Sequence, residues 1–283
     1  EGSWDSRGLA VGSVQSGKTS NFIGFLNKAI DAGYKKIIVL SGLNNNLRQQ
    51  TQKRVDEGLL SYDTQASSIG SQIYAGPLAK RRLPLKLKII GCGTNSKLNG
   101  DFKTSVAQHL NFHTDDPSIF VVKKNKTILE NIIRYFISAP GVAGVKIDNR
   151  PFKVRGLHHS SPPFINNKPI LVIDDEVDNG SVDTGEQQIN EEGKFDLEYD
   201  PKTINKLIRT ILNIFSKRVY IGYTATPFAN IFIHNQAKTK DEGLDLFPKD
   251  YIIDLPIPSN HVGLEKIFKT DIVDGEKIED REI

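Results

Sequence analysis

The chain has 283 residues, a formal net charge of +3, 38% hydrophobic and 25% charged residues, and a single cysteine. That suits one large or two small soluble globular domains and excludes an intrachain disulfide framework. No apolar run approaches a membrane span, the first residues lack the basic-then-apolar layout of a secretory signal, and the near-neutral balance does not mark a strongly basic nucleic-acid binder.

The lone Cys92 fits a reducing, cytoplasmic setting. Because the chain begins at Glu1 and contains no methionine, it is expected to be a piece of something longer. In chain order, Gly8-Leu9-Ala10-Val11 reads as a short buried strand. Phe22, Phe25, Leu26, Ala29 and Ile30 follow at helical spacing, with Gly33 as the stop. Lys35–Leu40 reads as a second strand, Ser41–Asn46 as a polar loop, and Leu47–Glu57 as a helix stopped by Gly58. The stretch from about 60 to 168 is less regular. Strands are expected at Leu87–Ile90 and Ile119–Val122, a helix at Thr127–Ser138, and loops at Pro77–Pro84 and Gly141–Pro163. Its basic clusters, Lys80-Arg81-Arg82 and Lys123-Lys124, read as solvated edges. Pro169–Ile173 is a buried strand, and Gly180–Asp200 an acidic loop. Pro201–Ser216 is a helix with proline in its first turn, Arg218–Tyr223 a strand continued in pattern by Ala229–Ile233, and Tyr251–Leu255 a last strand. Alternating strands and helices point to an α/β domain with a mainly parallel central sheet between two helical layers. It covers residues 1–255 with an inserted region at about 60–168, and residues 256–283 read as a linker.

Three segments carry chemistry. Gly12-Ser13-Val14-Gln15-Ser16-Gly17-Lys18-Thr19 matches the phosphate loop G-x-x-x-x-G-K-[ST]. Its glycines permit the backbone torsions and close approach that let successive N–H groups wrap a phosphate. Gly12, Gln15, Ser16, Gly17, Lys18, Thr19 and Ser20 are therefore candidates for nucleotide contact, with Lys18 on the phosphates and the Thr19 hydroxyl on Mg²⁺. The strand Ile170–Ile173 then runs into Asp174-Asp175-Glu176-Val177-Asp178. In the D-E-x-D register, Asp175 assists Mg²⁺, Glu176 polarises the attacking water, and Asp174 is the alternative metal ligand. Thr224-Ala225-Thr226-Pro227 closes the next strand, where the hydroxyls of Thr224 and Thr226 can bond Asp178 and sense the terminal phosphate.

This order of motifs resembles motifs I, II and III of the first RecA-like domain of superfamily-two helicases. More closely, the segment Arg7–Gln52, together with ILVIDDEVDN, VYIGYTATPFANIFI and LFPKDYIIDLPIPSN, resembles the Z1-domain proteins of bacteria. Those carry an endonuclease label and are often associated with defence against foreign DNA. The resemblance covers most of the chain and least of 60–168. It implies a RecA-like P-loop ATPase using ATP and Mg²⁺, with Lys18, Asp175 and Glu176 as its catalytic groups. It also implies action on DNA (RNA being the other candidate), a second RecA-like domain that supplies an arginine finger, slow hydrolysis by this domain alone, and further defence proteins as partners. Asn44-Asn45-Asn46 with Arg48 occupy the place of motif Ia, a contact to the nucleic-acid backbone. The residues alone read equally well as a polar turn and helix cap. A nucleotide-dependent switch that controls assembly without moving on DNA is the alternative function. Nuclease chemistry finds little support. Glu192-Gly193-Lys194 lies outside any strand pattern, His109 and His113 with Asp115 and Asp116 form at most a weak metal pattern, and His158-His159 stands without a partner.

Overall fold

The structure, a computed structural model, describes residues 2–13, 17–60, 62–65, 90–107, 110, 115–138, 145–149, 151–156, 165–179, 181, 201–228, 238–239, 243–256, 270–273 and 276–279. Among these the chain forms β1 (Trp4–Val11), β2 (Lys36–Ser41), β3 (Gly91–Cys92), β4 (Ser118–Val122), β5 (Lys146–Asn149), β6 (Phe152–Arg155), β7 (Ile170–Asp175), β8 (Lys217–Thr224), β9 (Lys238–Thr239), β10 (Gly243–Leu244) and β11 (Tyr251–Asp254). Seven of them make one sheet in the order β11-β1-β8-β7-β2-β4-β3, with every pair parallel. A parallel sheet needs cover on both faces, so its inner strands read as unbroken apolar runs. β2, β4 and the first five residues of β7 are buried throughout.

Successive side chains of a strand point to opposite faces. Ile37, Val39, Ile119, Val121, Leu171 and Ile173 pack with α1 (Lys18–Asp31). Ile38, Leu40, Phe120, Val122, Ile170 and Val172 pack with α4 (Lys126–Ser138) and α5 (Pro201–Asn213). The crossover through α1 carries the chain from β1 toward the β3 edge; those through α4 and α5 carry it back. Crossovers of one hand that run in opposite directions must lie on opposite faces, and these do. Phe22, Leu26 and Ile30 of α1 are all but fully buried, each contributing about 1.5–3 kcal/mol of transfer free energy.

Several expected boundaries shift. β1 begins four residues before Gly8, and Gly8 lies against the Tyr251 ring, where a Cβ would sit 2.0 Å from it. α2 (Asn45–Val55) begins two residues early because the Asn44 side chain caps it, accepting from the Leu47 N–H at 2.9 Å. Gly58 does not stop this helix, which continues as a wide turn, Asp56–Leu60. The glycine is there for packing: a Cβ would come within 2.7 Å of Ile23, and its carbonyl accepts from Asn27 at 3.0 Å. Within the expected loop Gly141–Pro163, β5 and β6 pair as an antiparallel hairpin. A short helix, α3 (Thr104–Ala107), precedes β4. Within 256–283 another hairpin joins β12 (Thr270–Val273) to β13 (Glu276–Glu279). Leu87–Ile89, Pro77–Pro84, Ala229–Ile233 and all of the acidic stretch but Ser181 lie outside the described residues. No described helix is long and apolar enough to cross a membrane.

Candidate functional site

The three motif segments leave neighbouring strands at one level. β8 lies between β1 and β7, pairing Val11 with Thr224 and Tyr223 with Asp175. The phosphate-loop segment, the acidic turn and the T-A-T-P segment therefore emerge side by side from the carboxyl ends of three parallel strands. Ligands of open α/β sheets bind outside this edge, where neighbouring crossovers depart to opposite faces. Here α1 leaves to one face and α5 covers the other.

The phosphate-loop segment starts with a backbone bond from Gly12 N–H to the Thr224 carbonyl, 2.9 Å. Val14, Gln15 and Ser16 lie outside the described residues. Gly17 precedes α1 at φ +84°, a left-handed conformation that favours glycine, and gives the helix no side-chain cap. The first turn of α1 carries no acidic residue, so its partial positive charge is left uncompensated there. The Lys18 ammonium folds back onto the carbonyls of Gly12 and Ser13 at 3.1 and 3.0 Å. The Thr19 hydroxyl accepts from Arg54 Nη1 of α2 at 2.8 Å. Ser20 is exposed on the same turn.

The acidic turn separates its two aspartates by face. Asp174 shares the face of Ile170 and Val172 and is fully buried. Lys124 Nζ pairs with its Oδ1 at 2.8 Å, and the Tyr220 hydroxyl donates to its Oδ2 at 2.6 Å. With both oxygens engaged behind the sheet, Asp174 is not the alternative metal ligand that the sequence allows. Asp175 alternates to the α1 face. Burial pushes its carboxyl up to about 6; Lys124 and Lys18 pull it back, while Glu176 and Asp174 add to the rise. Glu176 stands at φ +56°, a conformation that costs a non-glycine residue about 1–3 kcal/mol. It is held by its own carbonyl, which accepts from Lys124 Nζ at 2.5 Å and from the Asn179 N–H at 2.8 Å. Lys124 also donates to the Asn179 carbonyl at 2.9 Å. The expectation that Lys124 is a solvated edge is wrong: it is wholly buried, its ammonium pinning both ends of the turn.

The third segment closes on the second as expected. Thr224 Oγ1 donates to Asp178 Oδ1 and Thr226 Oγ1 to Asp178 Oδ2, each at 2.6 Å, and the Thr226 N–H returns to Thr224 Oγ1 at 2.8 Å. Both carboxylate oxygens of Asp178 accept charge-assisted hydrogen bonds, which are the short, strong kind. The Val177 N–H also donates to the Tyr223 carbonyl at 3.1 Å.

The segment expected to contact nucleic acid is divided: Asn44 and Asn46 are exposed and Asn45 is half-buried, whereas Arg48 is not available on the surface. Asn44 is the helix cap described above, Asn45 accepts from Lys123 at 3.1 Å, and Arg48 is fully buried. Arg48 spends its guanidinium on the carbonyls of Asn95 at 3.0 Å and Lys97 at 2.5 Å, anchoring α2 to the 90–101 segment. Three contributors escaped the sequence reading: Lys124, Tyr220 and Arg54. A signal existed for the first. An ionisable Asp174 that continues the inward row of a buried strand requires a cation or donors, and Lys124 follows two residues after the apolar strand β4, which β2 separates from β7. No local signal marks Arg54, which lies 35 residues from Thr19.

Among the described residues no group of three or more His, Cys, Asp or Glu side chains is placed to hold a metal ion unaided. His109, His113, His158, His159 and Glu192-Gly193-Lys194 lie outside the described residues. Mg²⁺ asks for less, since one or two protein oxygens beside substrate phosphates suffice; Thr19 and Asp175 are the oxygens the sequence offers for it. Comparison with protein-family models, with curated proteins and with solved structures returns no match.

Proposed function

We propose that this chain is a RecA-like P-loop ATPase domain that binds ATP with Mg²⁺ and hydrolyses it to drive conformational change in a helicase-like protein acting on DNA. The observation that carries the reading is the row at the sheet edge. Three segments remote in sequence meet there with a lysine, a hydroxyl, the Asp175 carboxylate on the α1 face and a hydroxyl-clamped aspartate. Chance would have to place each of them on the correct strand and the correct face.

The residues fit the group they would hold. Lys18 and the N-terminus of α1 offer positive charge to the phosphates, and Thr19 and Asp175 offer hard oxygen to Mg²⁺. When bound, the metal supplies charge neutralisation on the phosphates. Lys18 exchanges its loop carbonyls for phosphate oxygens. Glu176, on the strained turn, orients the attacking water and accepts its proton. Phosphoryl transfer is mainly positioning and electrostatics, so these few groups carry it. Asp178, fixed to Thr224 and Thr226, ties the acidic turn to the segment that leaves β8 and passes nucleotide-dependent shifts outward. A second RecA-like domain would complete the site with an arginine, and the resemblance to Z1-domain proteins suggests a part in bacterial defence.

A second reading is favoured by the burial of Arg48, which removes the side chain expected to grip a nucleic-acid backbone. In it the domain is a nucleotide-dependent switch for partner assembly. Steady-state ATP hydrolysis with and without DNA, beside a Lys18→Ala control, separates the two. The motor reading expects DNA-stimulated turnover that the control abolishes; turnover indifferent to DNA selects the switch, and turnover surviving in Lys18→Ala removes the P-loop assignment.

A further inference from the structure

We propose that Arg54 is a further cationic contact of the nucleotide site: it leaves the Thr19 hydroxyl and pairs with the terminal phosphate of a magnesium-bound nucleoside triphosphate. This rests on the ATP-binding reading above. Arg54 stands in the last turn of α2, and its Nη1 reaches across to Thr19 Oγ1 at 2.8 Å. Both helices lie on the same side of the sheet. Arg54 is exposed and so is not driven there by burial.

Electrostatics makes the placement informative. The first turn of α1 is a region of positive charge, with Lys18 beside it, no acidic residue in the turn and the helix N-terminus itself. A guanidinium brought to the same turn adds a third source of the same sign. Like charges gathered at one point are the counterpart of a multiply charged anion. The contact points to which part of that anion. Arg54 Nη1 is hydrogen-bonded to the Thr19 hydroxyl, the oxygen that would hold Mg²⁺ beside the terminal phosphates in the reading above. A cation held there would stand next to the guanidinium. A divalent cation on Thr19 would repel it, and the phosphate held beside that cation would offer it the opposite charge. The planar fork of arginine suits phosphate oxygens bidentately, and a long exposed side chain makes the change without moving α2. Arg54 then distinguishes a triphosphate from a diphosphate and reports the difference to α2, which Arg48 ties to the 90–101 segment.

The test is calorimetric titration of the protein with Mg²⁺ and either ADP or the β,γ-imido analogue of ATP, for wild type, Arg54→Gln and Arg54→Lys. Losing a charged hydrogen bond to the terminal phosphate should weaken the triphosphate analogue about tenfold or more in Arg54→Gln and leave ADP within about twofold. Arg54→Lys, which keeps a point charge, should fall between. Equal losses for both nucleotides overturn the proposal. So does tighter binding in Arg54→Gln, the result expected of a guanidinium that only obstructs the metal. Wild-type protein that binds neither nucleotide, or binding that survives Lys18→Ala, overturns the ATP-binding reading itself.

Discussion

At the scale of single residues, the acidic turn shows how one side chain organises several others. Lys124 is a buried cation whose ammonium is fully used: one carboxylate and two carbonyls. Its removal leaves Asp174 charged, buried and held only by the Tyr220 hydroxyl. Breaking a buried pair from one side costs about 3–5 kcal/mol, so Lys124→Met should lower unfolding stability by that order in urea titrations. Adding Asp174→Asn should restore most of the loss. A double variant no more stable than Lys124→Met would show that the lysine acts through packing and not through the charge. Glu176 belongs to the same turn but plays a different part. Its carboxylate takes no part in the turn's hydrogen bonds, its carbonyl does, and so Glu176→Gln should keep the fold and keep nucleotide binding while losing hydrolysis by about 10²-fold or more. Hydrolysis at the wild-type rate in Glu176→Gln would falsify the role given to that residue.

At the scale of elements, β1 is secured at both ends. Its carboxyl end pairs with β8 and feeds the phosphate-loop segment; its amino end is held by Asp5, which pairs with Arg7 at 3.0 Å and with Arg218 of β8 at 3.2 Å. Burial raises the Asp5 carboxyl, and the two guanidiniums more than reverse this, leaving it below the ordinary 3.8. A carboxylate depressed in the folded state binds fewer protons there than in the unfolded chain. Its contribution is therefore complete above the unfolded value and is lost as pH falls through the folded one. Asp5→Asn should cost about 1 kcal/mol near neutral pH for a partly exposed network, and the gap from wild type should close in acid. A gap that stays constant from neutral to acid pH would assign the effect to packing. The expected helix stop at Gly58 failed for an element-scale reason as well. Glycine ends a helix when its torsions are needed, but here the missing side chain admits Ile23 of α1, a fact of helix-against-helix contact that no local rule contains.

At the scale of the whole molecule, much of the architecture was legible along the chain. Unbroken apolar runs marked β2, β4 and β7, helical spacing marked α1 and α4, and their alternation indicated an α/β fold with a mainly parallel sheet. These signals are local, because burial on both faces constrains every residue of a strand and a helix repeats its buried face every turn. Strand alternation even contained the answer to the rivalry of the two aspartates, since Asp175 falls in phase with Leu171 and Ile173 on the α1 face. The bond between Asp178 and the two threonines was likewise readable from motif order. What the sequence by itself determined was therefore the elements, the phase of their faces and the segments that carry chemistry. Only the tertiary structure decided that β8 separates β1 from β7, that Lys124 and Arg48 turn inward while Arg54 reaches Thr19, and that Lys146–Asn149 pairs with Phe152–Arg155. The reason is physical: a long charged side chain can lie in solvent or end against a buried carboxylate at similar local cost, and the choice rests on partners many residues away.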